Sequence, residues 1–173
     1  MRDHEHSHTA LRAIAWPVYL AGLLTALLPI IDLVASVWPP RVGQVEWRFG
    51  TLGLLSGFTL SPLLGLIMCM AAAAVLEHRI VQRVLAVLAL IGAVKMSAII
   101  VIFSLDWLQF RAQAPAEARP GMDVGSVKAV IKHALVAASL VWLGIAGWRA
   151  GRREHRARHS TPPLIRETGQ PSS

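Results

Sequence analysis

The chain is short of most things that catalysis needs. It has one cysteine, Cys69, in 173 residues. Thiol–disulfide chemistry coupled to quinones needs cysteine pairs, so a lone thiol excludes it for this chain by itself. Cys69 reads instead as a small buried apolar residue. There is no glycine-rich phosphate loop, nucleophile elbow or zinc-protease helix motif. Glu117 and Asp123 flank a flexible "ARPGM" stretch, a poor frame for paired-carboxylate hydrolysis. Charge is also scarce: 16% of residues are Asp, Glu, Lys or Arg, against 54% hydrophobic. The mean hydropathy of +0.52 lies well away from a soluble domain. The net charge is +7, but the basic residues gather at the ends of apolar runs. That pattern orients a membrane protein and argues against nucleic-acid binding.

What is abundant is long apolar sequence. Four runs approach or exceed the roughly 20 residues that a bilayer-spanning helix requires. They cover about 13–37, 51–76, 84–105 and 127–148. The expected fold is all-α: one polytopic, four-transmembrane-helix bundle, with a tail over 1–12 and a basic, disordered tail over 149–173. The link "EHRIVQR" (Glu77 to Arg83) is short, so spans two and three are antiparallel neighbours. The connections Trp38 to Gly50 and Asp106 to Ser126 are too small for folded domains.

Arg2, Arg12, Arg79, Arg83, Arg149, Arg152, Arg153, Arg156, Arg158 and Arg166 fall on one side. Arg41, Arg48, Arg111 and Arg119 fall on the other, with Lys128 at its boundary. The excess places both termini in the cytoplasm of a bacterial inner membrane. Trp38, Trp47 and Trp107 then anchor the outer face, and Trp16 and Trp148 the inner face. The first run is too long for a signal peptide, and Pro29 and Asp32 interrupt it near the would-be cleavage site.

Lys95 is the most informative residue. It lies inside "VLAVLALIGAVKMSAIIVIFSL". A lysine at the middle of a span costs roughly 2.5–3.5 kcal/mol on insertion scales, so it needs a partner or a role. Depth follows from the helical rise. Asp32 is roughly 8 Å below the outer end of helix one, Lys132 and His133 are at similar depth on helix four, and Lys95 is roughly 15 Å below Leu105. Its stem lets it reach upward. Ser56, Thr59, Ser61 and Ser97 add polar groups in the outer half. One reading is a site open to the periplasm: an Asp32–Lys95 pair beside Lys132 or His133, able to hold an anionic head group or move a proton. The other is structural. Lys128 and Lys132 share a face and snorkel to phosphates, while Asp32 neutralises a lysine and orients the bundle.

Metal and haem have little support. His78 and His133 lie at opposite depths, so one haem cannot use both. The N-terminal "DHEHSH" (Asp3 to His8) alternates possible ligands but reads as a solvated tail. No metal or cofactor is expected. Small residues offer close helix contacts: "GLLSG" with Gly53 and Gly57, the run Ala71 to Ala74, and "GIAG" with Gly144 and Gly147. Pro17, Pro29 and Pro62 lie inside spans, where they kink a helix and free carbonyls.

The stretch "VEWRFGTLGLLSGFTLSPLLGLIM" (Val45 to Met68) resembles the small membrane proteins of the cyanobacterial hormogonium-polysaccharide accessory family. Trp47, Arg48 and Pro62 are the positions that carry the resemblance. It implies a helical membrane fold and a link to exopolysaccharide assembly or export, with no assigned mechanism. The expected function is a non-enzymatic accessory or scaffold subunit of an envelope complex, with Trp47 and Arg48 as an outer interaction surface and the basic tail on anionic lipid. Its partners are the bilayer and other membrane proteins or further copies of the chain. The rivals are a small ion-coupled carrier using Asp32, Lys95 and His133, and a lipid-acting enzyme with His133 as base and no visible partner for it.

Overall fold

The computed structural model describes the backbone of residues 3–159 and the side chains of 14–150. The described residues are all-α, in five helices: α1 (Asp3–Ser36), α2 (Val45–Phe58), α3 (Leu60–Val75), α4 (Arg79–Gln113) and α5 (Arg119–His159). Three stretches are long and apolar enough to cross a membrane: Ile14–Ser36, Arg79–Gln113 and Arg119–Ala150. The α2–α3 pair, bent by 42°, makes a fourth if it acts as one span.

The second apolar run is therefore two helices rather than one. Pro62 explains the break. It has no N–H to give to the carbonyl of Phe58 one turn earlier, and its ring crowds that turn. Thr59 sits at the joint, buried, between Phe58 and Leu60. Pro17 and Pro29 both stay inside the continuous α1.

The helices also outrun the apolar runs. α4 continues eight residues beyond Leu105, and α5 begins at Arg119, so the connection between them is only 114–118. Asp106, Trp107 and Asp123 thus stand on helices, because charged residues lower the hydropathy without breaking the hydrogen-bond ladder. At the other end α5 continues helically to His159; residues 160–173 of the basic tail lie outside the described residues.

α4 and α5 form the centre. On α4 the buried positions Ala86, Ala89, Ala93, Phe103 and Asp106 follow one another at three, four, ten and three residues. On α5, Ser126, His133 and Leu140 repeat at seven, and Gly147 continues the row. This spacing keeps a seam facing its partner helix. Small residues let the backbones approach. A Cβ on Gly144 would lie 2.6 Å from Leu90 Cγ, and one on Gly147 would lie 2.7 Å from Met70 Cε. Leu63, Ala89, Ala93, Val136 and Leu140 make the apolar core.

α1 is peripheral. It packs on α3 and lightly on α2, and among the described residues it makes no close backbone contact with α4 or α5. Its seam is glycine on glycine. A Cβ on Gly65 would run into the Gly22 carbonyl oxygen, and one on Gly22 would lie 2.6 Å from Cys69 Sγ. Gly53 and Gly57, by contrast, face open space.

α3 ends in a Schellman arrangement: His78 N–H donates to Ala73 O at 2.8 Å and Glu77 N–H to Ala74 O at 3.3 Å. Glu77 holds the left-handed position at φ 55°. The turn it makes sets α4 antiparallel to α3, and the Tyr19 hydroxyl lies 3.1 Å from His78 Nδ1 beside it.

Candidate functional site

The 37–44 and 114–118 connections lie at one end of the bundle, here the loop end. A bidentate ion pair fixes it. Arg48 Nε donates to Asp106 Oδ2 at 3.1 Å, and Nη2 donates to Oδ1 at 2.7 Å. The Asp106 side chain is 4% exposed and that of Arg48 is 30%. Arg48 Nη1 also donates to Val42 O at 2.9 Å, and Trp47 Nε1 to Val37 O at 3.2 Å. Both residues of the expected interaction surface are half-buried and fasten the 37–44 connection to the bundle.

A second set lies beside it. Asp123 accepts from Arg111 Nε at 2.9 Å and from Trp107 Nε1 at 3.2 Å. Phe49 stacks between Phe103 and Phe110, at centroid distances of 5.1 Å to each. Below them His133 is fully buried, tilted 49° against Phe103 at 6.3 Å. Neither ring nitrogen of His133 makes a well-aligned hydrogen bond, although the Ala129 backbone one turn earlier lies close to the ring, and the buried Ser126 hydroxyl one face-repeat away has no partner. An imidazole buried in that state carries a desolvation cost.

The remaining expected residues do not converge. Asp32, Lys95 and Lys132 are all exposed. Asp32 and Lys95 sit on helices that make no close backbone contact, and neither has an ion-pair partner among the described residues. Lys132 lies on the outer side of α5 with Lys128. Among the described residues no group of three His, Cys, Asp or Glu side chains could hold a metal ion; the side chains of Asp3 to His8 lie outside them.

Lys95 instead enters a cleft. Because α1 and α4 stand apart, a cavity of about 650 Å³ opens between them. Its walls come from α1 (Gly22 to Leu33), the α2–α3 pair (Leu55 to Cys69) and α4 (Leu85 to Ile99), and α5 supplies Val136 and Leu140. Lys95 is the lone charged residue in this lining, and Thr59 at the α2–α3 joint is its main polar companion. Asp32 is exposed and does not line the cleft, although Pro29 and Leu33 to either side of it do.

No known family model matches this chain, and no curated protein or solved structure does either.

Sequence reasoning missed the Arg48–Asp106 pair because 58 residues separate the partners and the hydropathy drop at Asp106 reads as a loop. The lone acidic residue directly before Trp107, at the end of an apolar run, was the available signal. The Lys95 cleft had no signal, since it arises from α1 standing clear of α4.

Proposed function

We propose that this chain is a non-enzymatic accessory subunit of a bacterial envelope complex, crossing the cytoplasmic membrane four times with both termini inside. The observation that carries this is the outward aspect of Asp32. A carboxylate on a membrane helix normally turns to the bundle interior, where a partner offsets its cost. Asp32 is exposed and does not line the cleft, on a helix that packs only on α2 and α3. A subunit that leaves a short acidic side chain there is built for another helix to cover it. Arg79, Arg83 and the basic stretch from Arg149 mark the cytoplasmic side.

The loop end supports the same reading. Two of its arginines are paired, Arg48 with Asp106 and Arg111 with Asp123, and the first pair holds Trp47 and the 37–44 connection in one shape. A rigid, partly charged surface suits recognition better than transport or catalysis. Gly53 and Gly57 leave α2 open to a second close helix. The resemblance of Val45 to Met68 to the polysaccharide accessory family suggests complexes that handle polysaccharide or lipid-linked intermediates. The carrier reading needs Asp32, Lys95 and His133 within reach of each other, and the separation of α1 from α4 and α5 counts against it.

The test is recovery from native membranes in a mild detergent, followed by native mass spectrometry. The expected result is stoichiometric association with a larger membrane protein, lost in Asp32→Asn and kept in Lys95→Met. Recovery of the wild type as a bare monomer contradicts the proposal.

A further inference from the structure

The cleft between α1 and α4 has the chemistry of a binding site for one kind of molecule. It is lined along α4 from Leu85 to Ile99, fourteen residues or roughly 21 Å of helix. Nearly every other lining residue is apolar, and Lys95 stands toward the loop-end part of that length. Cavities of 300–1,000 Å³ with apolar walls and a few placed polar groups are the usual form of small-molecule sites. The volume of about 650 Å³ falls within that class.

The lining also selects the occupant. A single extended hydrocarbon chain matches the narrow apolar shape. The charge then selects its head group. The lining holds one ammonium and no carboxylate, so a head of one negative charge leaves the cleft neutral. A phosphate monoester brings close to two negative charges near neutral pH and would leave one uncompensated. The head must also be small. Lys95 lies eleven residues below Asp106 on α4, roughly 16 Å, too deep for its stem to reach the loop-end surface.

We propose that the α1–α4 cleft binds a long-chain monocarboxylate, its chain against Leu23, Leu27, Leu85 and Leu88 and its carboxylate paired with Lys95. Palmitate is the probe for this class. The site stands independently of the accessory-subunit reading, because it uses Lys95 and the cleft while partner association rests on Asp32.

The test is equilibrium binding of palmitate to the full chain in lipid nanodiscs, beside hexadecanol and hexadecyl phosphate. Expected are saturable one-to-one palmitate binding, a loss of at least tenfold in Lys95→Met, and near-complete rescue in Lys95→Arg. Leu88→Trp, which places bulk on the exposed wall, should weaken palmitate severalfold while Lys95 remains. Hexadecanol should bind more weakly than palmitate and equally to wild type and Lys95→Met. Circular dichroism and gel filtration on each variant confirm that it is folded. Equal palmitate affinity in wild type and folded Lys95→Met would overturn the proposal, as would Leu88→Trp without effect. Tighter binding of hexadecyl phosphate than of palmitate would overturn the carboxylate assignment.

Discussion

Cutting the Arg48–Asp106 pair from its two sides should have unequal consequences. Both hydrogen bonds lie at 3.1 Å or less, in the fork geometry that suits a guanidinium to a carboxylate. The two partners differ in burial. Arg48→Met strands a carboxylate that is 4% exposed, and Asp106→Leu strands a guanidinium that is 30% exposed and still bonded to Val42 O. Breaking a buried pair by removing one member costs about 3–5 kcal/mol. Arg48→Met should fall in that range. Asp106→Leu should cost less, since Arg48 can turn toward water, where exposed ion pairs are worth little. The double variant Arg48→Met/Asp106→Leu should recover most of the loss, because an apolar replacement of a buried pair is often close to neutral. Stability would be read from detergent-driven unfolding in mixed micelles, followed by tryptophan fluorescence and far-ultraviolet circular dichroism. Equal costs for the single variants, or a double variant worse than Arg48→Met alone, would refute the argument from burial.

Three further outcomes follow from the packing. Gly65→Ala pushes a methyl into the Gly22 carbonyl and should destabilise the α1–α3 contact by about 1–3 kcal/mol, while Gly53→Ala and Gly57→Ala, facing open space, should be neutral or slightly stabilising in the same unfolding assay. Glu77→Gly relieves a left-handed residue in the α3 cap and should raise stability by about 0.5–1 kcal/mol, a gain checked by the unfolding midpoint. His133→Leu removes two buried ring nitrogens that make no well-aligned hydrogen bond and should stabilise by about 1 kcal/mol; a loss of stability would mean that the contact with the Ala129 backbone outweighs the desolvation of the ring.

Local sequence spelled out the helices better than it spelled out their meetings. The apolar runs around Val84–Leu105 and Val127–Trp148 are visible because a span must satisfy its backbone internally and shed charge. Their true ends are not visible, since Asp106, Arg111 and Asp123 continue the helices while lowering hydropathy. The bend at Thr59 was foreshadowed by Pro62, whose missing N–H is a local fact. Gly22 against Gly65 was not, because a close approach between distant segments leaves no spacing pattern in either one. For the candidate site the depth of Lys95 and Asp32 could be counted from the sequence, but their direction could not. Rotation about α1 and the gap between α1 and α4 decide it, and both are set by packing of the whole bundle.

The most direct test of the subunit reading is photo-cross-linking in intact cells, with a photoreactive amino acid at position 32 and, as a control, at Val34. The control position lies about 160° away around α1 by helical geometry. The account expects one dominant protein adduct of defined mass from position 32 and little or none from position 34. Lipid adducts alone at position 32, or identical adducts from both positions, would contradict it.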